Sequence, residues 1–286
     1  MPIVIENLSF TYGKKSPFEK KALDDITLRI EDGECVGLVG STGSGKSTLV
    51  QHFNGLIKPT SGKLSVDEID LTARKPDWQK LRSKIGMVFQ YPEYQLFADT
   101  VLDDVCFGPL NFGMAKEVAE ENARRAIEAV GLNYEEIKDR SPIEISGGQK
   151  RRVAIAGVLA YEPDYLILDE PTAGLDPIGK KEMLDLVTSL RTSGKVKTVV
   201  MVSHNMDEIA EYTDRVIALS SGKLLCFEKT ESFFYDHDVS ELGLAYPHAV
   251  KITKLLAEKG ILLPTRPLTQ KQLTDALRAY ARGGRK

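Results

Sequence analysis

The sequence predicts an α/β protein: a parallel β-sheet core, an antiparallel β subdomain, an inserted helical subdomain and a small C-terminal helical extension. Three observations predict this fold class. Apolar strands and helical segments alternate over residues 161–228, which is the βαβ rhythm of a parallel sheet. The first ninety residues are mostly short strands separated by Gly, Asp and Pro. Residues 91–160 carry apolar positions at helical spacing instead.

Strands and a single helix account for the N-terminal part of the chain. The helix begins at Lys46, directly after a glycine-rich turn, and ends at Gly55, before the stop signal Lys58-Pro59. The predicted strands are Ile3–Phe10, Thr27–Ile30, Val36–Val39, Lys63–Val66 and Ile85–Phe89.

Helical patterns occupy the middle and the end of the chain. Ala115–Val130 has apolar residues at helical spacing and Gly131 at its end, which predicts a helix. A helix is also predicted at Gly179–Ser193, between the strands Tyr165–Leu168, Thr198–Val202, Val216–Leu219 and Leu224–Phe227. Later helix faces are formed by Ala249, Ile252, Leu256, Leu273, Leu277 and Tyr280. We therefore expect a core of residues 1–90 and 161–228, a helical subdomain of residues 91–160 and an extension of residues 229–286.

Composition and charge exclude several classes of protein. Lys plus Arg is 38 and Asp plus Glu is 41, a net charge of −3, so we expect no nucleic acid among the partners. The longest largely apolar run, Val153–Tyr161, is far shorter than the roughly 20 residues of a membrane-spanning helix. The N-terminus lacks the pattern of a secretory signal, which favours the cytoplasm. Neither a disulfide framework nor a zinc site is indicated by the three separated cysteines, Cys35, Cys106 and Cys226. The last eleven residues are basic and contain Arg278, Arg282, Arg285 and Lys286. Such a tail is typical of a solvated end, and contact with anionic lipid or with a partner's acidic surface is the alternative.

The strongest chemical signal is the octet GSTGSGKS, which fits the pattern GxxxxGK[ST] between a strand and a helix. Such a loop captures anions, because glycines let backbone N–H groups turn towards phosphates and the helix start adds its dipole. We expect Lys46 to reach the β- and γ-phosphates of a nucleotide and Ser47 to offer its hydroxyl to magnesium. The predicted binding residues are Gly40, Ser41, Thr42, Gly43, Ser44, Gly45, Lys46, Ser47 and the adjacent Thr48.

A second signal is the apolar strand Tyr165–Leu168, which ends in the carboxylates Asp169 and Glu170. Where the chain turns at the carboxyl end of a strand, both acids can face a ligand. We expect Asp169 to anchor magnesium and Glu170 to polarise the water that attacks the γ-phosphate. Two acids after a strand are by themselves typical of a turn or a helix cap, but an anion-binding loop in the same chain favours catalysis.

The stretch Ser146, Gly147, Gly148 and Gln149 precedes the apolar run Val153–Tyr161. By itself it could be a helix N-cap with a turn. As chemistry, a serine hydroxyl and glycine N–H groups at a helix start form a second phosphate cradle. One chain rarely needs two cradles for one nucleotide. We therefore expect two chains to pair head to tail, each presenting its second cradle to the nucleotide held by the other.

Together these motifs resemble those of ABC-type ATPases, and the resemblance covers nearly the whole chain. It implies a P-loop NTPase fold with a RecA-like core, and ATP and Mg²⁺ as cofactors. It also implies an adenine-stacking Tyr12, a catalytic and metal-binding Q-loop Gln90, a nucleotide-contacting D-loop Asp176 and a catalytic switch His204. Ile145 stands where the family usually has Leu, which conserves volume.

The stretch YPEYQLFADTV after Gln90 narrows the resemblance to the ATPases of energy-coupling factor (ECF) transporters. The insertion Ser16–Leu23 and residues 170–177 resemble their second, A-prime type. Such transporters combine two ATPases, a transmembrane coupling protein and a membrane-embedded substrate-binding subunit. The resemblance implies these partners, with a sister ATPase in a heterodimer or homodimer. It also implies a peripheral position on the cytoplasmic face of the cell membrane and a role in uptake of a vitamin or other micronutrient.

Several alternatives stay open on the sequence. Cobalt and nickel importer ATPases share the stretch after Gln90, and a soluble ABC ATPase without a transport role is the different-class alternative. The extension 229–286 could pair with the sister subunit or cap this chain's own core. The acidic residues after Gln90 could line a groove for the coupling protein or favour a helix start through its dipole; they are Glu93, Asp99, Asp103 and Asp104.

Overall fold

Ten strands form two sheets in residues 2–283, the part of the chain that the structure, a computed structural model, describes. The strands are β1 Ile3–Tyr12, β2 Lys20–Ile30, β3 Cys35–Val39, β4 Ser61–Val66, β5 Ile69–Asp70, β6 Ile85–Val88, β7 Tyr165–Asp169, β8 Thr198–Val202, β9 Arg215–Ser220 and β10 Lys223–Lys229. The helices are α1 Lys46–Phe53, α2 Trp78–Lys84, α3 Val101–Asn111, α4 Lys116–Ala129, α5 Tyr134–Ile137, α6 Gly147–Leu159, α7 Pro177–Thr192, α8 Met206–Tyr212, α9 Thr230–Asp236, α10 His248–Glu258 and α11 Gln270–Gly283. Short 3₁₀ turns lie at Pro92–Gln95, Pro142–Glu144 and Val239–Leu242.

The core is a six-stranded sheet of order β10-β9-β3-β8-β7-β6. All its strands are parallel except β10, which pairs antiparallel with β9 at the edge. The parallel strands β3, β6 and β8 are buried along their whole length, because both faces of the sheet are covered and their sequences are continuously apolar. Their carboxyl ends meet at one edge, where α/β proteins bind ligands.

The two faces of this sheet contact different layers. Ile167 packs with Leu49 and Phe53 of α1 and with the antiparallel sheet, whose order is β2-β1-β4-β5. Its neighbour Leu166 packs with the cluster formed by the helical segment, for example with Val105 of α3. Side chains alternate along a strand, so the β subdomain and the helical segment cover opposite faces. The predicted fold class is confirmed.

The C-terminal extension packs its first part on the core. Phe233 and Phe234 of α9 and Val250 of α10 are fully buried in a cluster with strand residues such as Met201. Helices α10 and α11 and the segment between them still expose apolar side chains: Ile252 and Leu255 on α10, Leu262 in the connecting segment, and Leu277 and Tyr280 on α11. Of the basic tail, Arg285 and Lys286 lie outside the described residues.

Three sequence predictions need correction. The strand predicted at Thr27–Ile30 begins at Lys20, because Lys20 and the next lysine pair with the end of β1 although they are polar. Helix α2 was missed in a region predicted to hold strands and one helix; it buries only Leu81, which is too little for a helical pattern. Helix α8 was missed because its seven residues are too few to show a helical repeat of apolar positions.

Within the described residues, no helix combines the length and the apolar character that crossing a bilayer would need.

Candidate functional site

The octet at residues 40–47, here called the phosphate loop, joins β3 to α1 at the carboxyl edge of the sheet. Gly40 and Gly45 have φ values of +149° and +108°, which glycine adopts far more readily than other residues. A Cβ on Gly40 would lie 2.3 Å from the carbonyl oxygen of Leu219 in β9. A Cβ on Gly45 would lie 2.8 Å from the carbonyl oxygen of Ala22 in β2. The loop therefore packs so closely on both sheets that only glycine fits at these positions.

Two polar side chains of the phosphate loop are buried. Lys46 is 7% exposed, and its Nζ donates to the carbonyl oxygens of Gly40 at 2.7 Å and Ser41 at 3.1 Å. Ser44 Oγ is buried and has no hydrogen-bond partner among the described residues. Beside them a Cβ on Gly43 would meet nothing within 4 Å. A buried cation and a hydroxyl without a partner, next to open space, fit an anionic phosphate group.

Tyr12 and the phosphate loop line the same pocket, whose volume is about 170 Å³. Tyr12 is 41% exposed, and its hydroxyl lies 3.2 Å from Thr48 Oγ1. The remaining lining residues are Lys20, Ala22, Gly43, Gly45, Lys46 and Ser47. The site thus has an exposed aromatic ring next to a phosphate-binding loop, an arrangement that fits a nucleotide with its base on Tyr12.

The two predicted carboxylates lie at the end of β7. Asp169 ends the strand, and Glu170 follows with a left-handed φ of +53° and a backbone N–H that donates to the Val202 carbonyl of β8 at 3.0 Å. Burial raises the pKa of Asp169, and burial together with the Asp169 charge raises the pKa of Glu170 to about 7. Burial lowers the pKa of Lys46, an effect that these two carboxylates oppose. The structure therefore couples the lysine and both acids electrostatically.

His204 lies beside Glu170, shortly after the end of β8. Its Nε2 is 3.3 Å from Glu170 Oε1, although Oε1 accepts no hydrogen bond within the described residues. Burial and the Lys46 charge lower the pKa of His204. Both residues line a cleft of about 720 Å³ whose far wall comes from the C-terminal extension and includes Tyr246. The contact therefore joins an acid and an imidazole that are both biased towards their neutral forms.

A buried carboxylate ties the two segments of the site together. Glu208 of α8 is 6% exposed, and Thr172 Oγ1 lies 3.0 and 2.9 Å from its two oxygens. Ser203 Oγ donates to the same carboxylate at 2.8 Å and Asn205 Nδ2 at 3.2 Å. Thr172 follows β7 and Ser203 follows β8, so Glu208 fixes the loop after Glu170 relative to the histidine segment.

Gln90 lies at the same edge of the sheet as the carboxylates. Val88 of β6 pairs with Leu168 of β7. Gln90 and Glu170 each lie two positions beyond this pair, so the register brings their backbones to neighbouring strand ends. Gln90 is exposed there.

The Ser-Gly-Gly-Gln stretch, here called the signature, begins α6 at the surface. Ser146 Oγ accepts from the Gln149 N–H at 3.3 Å, and Gln149 Oε1 accepts from the Ser146 N–H at 3.0 Å, which is a capping box. Gly147 and Gly148 are exposed, and a Cβ on either would meet nothing within 4 Å. The N-cap interpretation is confirmed. The serine hydroxyl can still donate to a further group, because a hydroxyl that accepts a hydrogen bond retains its proton.

Asp176, in the D-loop of residues 173–176, is also at the surface. Its Oδ1 accepts from the Gly179 N–H at 2.7 Å and so caps α7. The nearby Ile178 is 71% exposed. The D-loop and the signature therefore both present an exposed helix start, whereas the phosphate loop exposes Ser41, Thr42 and Gly43 but packs Gly40 and Gly45 against its own chain.

A family comparison agrees with this geometry. The family described as "ABC transporter" matches residues 23–173, more than half of the chain. The chain belongs to the ABC transporter family. Its members bind ATP, and the transport-coupled ATPase activity expected from the sequence is supported.

Relatives of this ABC ATPase carry ECF names. The energy-coupling factor transporter ATP-binding protein EcfA2 of Clostridium tetani is 47% identical over 278 residues, which cover 97% of this chain and 96% of the relative. The EcfA2 of Symbiobacterium thermophilum is 49% identical over 284 residues, covering 99% and 98%. These relatives favour the ECF interpretation over its alternatives.

Solved structures of ABC cassettes share the fold. The structure of cbiO1 from Clostridium perfringens, described as part of the ABC transporter complex cbiONQ, is 36% identical with a TM-score of 0.73, covering 90% of this chain and 96% of that one. A dimeric post-hydrolysis state of the cassette MJ0796, bound to ADP and Pi, is 32% identical with a TM-score of 0.69, covering 80% and 98%.

The acidic residues after Gln90 in this ABC ATPase differ in their contacts. Asp103 belongs to the N-terminal cap of α3, where its N–H donates to Thr100 Oγ1 at 3.1 Å. Asp104 Oδ2 accepts from two backbone N–H groups before that helix, each at 2.8 Å. Asp99 is exposed. The helix-start interpretation accounts for Asp103, whereas Glu93 pairs with Arg151.

Sequence reasoning missed Arg151 and Glu208, two buried charged residues that contact the loop after Glu170. One signal was present for Arg151. It lies four positions before the buried Ile155 in α6 and so shares a helix face with the core. A charged residue on such a face needs a partner, which the sequence does not identify.

Proposed function

We propose that this chain is the ATP-hydrolysing subunit, of the A-prime type, of an ECF transporter and powers the uptake of a vitamin or other micronutrient. The observation that carries the proposal is the meeting of Lys46, Asp169, Glu170 and His204 at the carboxyl edge of one sheet. The identity to EcfA2 proteins over nearly the whole chain supports the transport part.

In this proposal the phosphate loop and its neighbours hold Mg²⁺ and ATP. Backbone N–H groups of the loop and Lys46 bind the phosphates, while Tyr12 stacks on the adenine. Ser47, Gln90 and Asp169 supply the oxygen ligands that a hard cation prefers. Bound Mg²⁺ would neutralise charge that develops on the phosphate oxygens during transfer.

Glu170 is proposed to act as the general base that takes a proton from the attacking water. A pKa of about 7 suits a group that must gain and lose a proton near neutral pH. His204, 3.3 Å from the Glu170 carboxylate, is proposed to orient it and to reach the γ-phosphate. Gln90, at the neighbouring strand end, completes the catalytic set.

The signature and Asp176 are proposed to act on a nucleotide held by a sister ATPase. Their exposure supports this, because Ser146, Gly147, Gly148 and Asp176 are open to contact by another chain. ATP then joins two chains, and hydrolysis removes the γ-phosphate that bridges them. The sister is a second kind of ATPase or a second copy of this chain.

The surface after Gln90 is proposed to receive the transmembrane coupling protein. Three aromatic side chains there are strongly exposed: Tyr94 at 83%, Phe97 at 65% and Phe107 at 49%. Phe97 and Phe107 contact each other, with ring centroids 4.8 Å apart, and exposed apolar groups in contact are typical of a protein–protein interface. The coupling protein would hold the chain on the cytoplasmic face of the membrane and connect it to the substrate-binding membrane subunit, and no nucleic acid takes part.

The extension of residues 229–286 is proposed to pair with the sister subunit. The buried Phe233 and Phe234 attach it to this chain, while Ile252 and Leu255 remain 43% and 48% exposed on α10. An apolar face on a helix that is already anchored is available for a second subunit.

Purification from native membranes in detergent tests the proposal. We expect the chain to co-purify with an ATPase and with membrane proteins, and to hydrolyse ATP. Lys46→Ala should weaken ATP binding about 10- to 100-fold, because a charge-assisted phosphate contact is lost. The control Lys63→Ala, which removes an exposed lysine, should leave ATP affinity unchanged. Co-purification with ribosomes or DNA alone, or unchanged ATP affinity in Lys46→Ala, would refute the proposal.

A further inference from the structure

A guanidinium group is buried between the signature helix α6, the turn after Gln90 and the loop after Glu170. Arg151 lies one turn after the signature in α6, and its side chain is 2% exposed. A charge removed from water is stable only when it is paired and its N–H groups are hydrogen-bonded. The partners of Arg151 therefore reveal which segments of the chain it joins.

One partner is Glu93, in the turn Pro92–Gln95 that follows Gln90. Arg151 Nε lies 3.1 Å from Glu93 Oε2 and Nη2 lies 3.2 Å from Oε1, so the carboxylate is bound by two parallel hydrogen bonds. Glu93 is 19% exposed. The turn that carries the exposed Tyr94 is thus fixed to the signature helix by a largely desolvated ion pair.

The other partners are backbone carbonyl groups directly after Glu170. Arg151 Nη1 donates to the Ala173 oxygen at 2.9 Å and lies 3.4 Å from the Pro171 oxygen. Thr172, between them, contacts Glu208 with its side chain. The loop after the proposed base is therefore held from one side by Arg151 and from the other by Glu208.

The planar geometry of arginine fixes the positions of its partners relative to each other. A guanidinium is planar and its donors point in fixed directions, so the Glu93 carboxylate and the Ala173 carbonyl cannot shift relative to each other without losing a charged hydrogen bond. A lysine in its place would have its three donors on a single nitrogen and could not form the two parallel hydrogen bonds to the Glu93 carboxylate. The signature is rigidly connected to the same residue, because both belong to the start of α6.

We propose that Arg151 is a positioning residue that keeps the signature, the turn Pro92–Gln95 and the loop leading from Glu170 to Asp176 in one fixed arrangement. The inference rests on the proposed function, since it assumes that the signature and Asp176 meet a sister chain together. When a partner protein moves the turn Pro92–Gln95, the signature and the loop from Glu170 to Asp176 therefore move with it. Loss of Arg151 lets these segments move separately, so the site is assembled less often while the phosphate loop is unaffected.

The test uses Arg151→Lys, Glu93→Gln and the double variant in the assembled transporter. We expect turnover to fall about 10- to 100-fold, as for a small misplacement of a catalytic group, with ATP affinity within twofold of the parent. The double variant should be no slower than the slower single variant, because both remove the same contact. Amide hydrogen exchange should become faster at residues 173–176 and stay unchanged in the phosphate loop.

Arg124→Lys is the matched control. Arg124 binds Glu121 with the same pair of atoms, Nε at 3.0 Å and Nη2 at 2.7 Å, but both side chains are about half exposed. Arg124→Lys should leave ATP turnover and amide hydrogen exchange unchanged. If Arg151→Lys does not fold, Glu93→Gln alone decides the question.

Parental turnover per ATP-binding molecule in Glu93→Gln, or unchanged exchange at residues 173–176, would overturn the inference. Reduced stability with parental turnover per folded molecule would overturn it as well, because it would show a purely structural role. These results are distinct from a failure of the proposed function, in which the parent protein itself would not hydrolyse ATP.

Discussion

The phosphate loop and the signature are both glycine-rich helix starts suited to phosphate, yet they are built in opposite ways. A Cβ on Gly40 would lie 2.3 Å from a neighbouring strand, whereas a Cβ on Gly148 would meet nothing within 4 Å. Lys46 is 7% exposed and hydrogen-bonded within its loop, whereas Ser146 is exposed and contacts its own helix. Gly40 and Gly45 of the phosphate loop are required by the fold of this chain.

The glycines of the signature have no such requirement inside the chain. Gly147 and Gly148 are the first two residues of α6, and a Cβ on either would meet nothing within 4 Å, so no contact among the described residues requires glycine there. In the proposed function, the close approach of a sister ATPase accounts for them. The proposal therefore separates a half-site within this chain, at the phosphate loop, from a half-site that this chain offers to a second chain, at the signature.

The largest effect, on ATP turnover, is expected from Glu170→Gln, a substitution in the half-site that contains the phosphate loop. Loss of the general base should lower turnover by about 10²–10⁴-fold, while ATP binding is retained because Lys46 and the loop are unchanged. Single-turnover kinetics with an ATP-binding titration measures both. Parental turnover would show that another group takes the proton.

Glu170→Gln is also expected to raise the free energy of unfolding at alkaline pH. Folding raises the pKa of Glu170 to about 7, so the fold favours the protonated form and loses stability as pH rises from the ordinary glutamate pKa towards 7. A neutral glutamine avoids that loss. We expect Glu170→Gln to unfold at higher denaturant concentration than the parent at pH 8.

The next-largest effect is expected on the free energy of unfolding, from one glycine substitution in the phosphate loop and one in the signature. Gly40→Ala should lower the free energy of unfolding by about 2–4 kcal/mol, because it combines a left-handed φ with a clash against the Leu219 backbone. Gly148→Ala should leave it unchanged or raise it by up to ~1 kcal/mol. Denaturant titrations of the two variants measure the difference. Equal losses would remove the distinction between the two glycine-rich segments.

The smallest effect is expected from Ser146→Ala. Loss of an N-cap hydroxyl typically costs about 1 kcal/mol, and the Gln149 side chain still caps the Ser146 backbone N–H. ATP affinity of the isolated chain should not change, whereas turnover should fall in the complex with the sister ATPase. An ATP affinity that falls in the isolated chain would place the signature in this chain's own site.

The sequence is most informative where the chemistry is local. The octet around Lys46 and the acids Asp169 and Glu170 are predicted site residues because a few adjacent residues carry each signal, and the fold class, which is confirmed, followed from the strand and helix rhythm. The contact of Arg151 with Glu93 spans 58 positions, so only the folded chain reveals it. Short elements such as α2 were missed because one buried residue leaves no periodic pattern.

Hydrogen exchange of the signature amides tests the central claim most directly: the signature serves a nucleotide bound by a different chain. The experiment uses Glu170→Gln with its co-purifying ATPase, with and without ATP. The account predicts that ATP slows exchange at Ser146–Gln149, and that dilution of the complex reverses this slowing while the phosphate loop stays protected. Protection of the phosphate loop without any change at the signature, or protection of both that persists in the isolated chain, would contradict it.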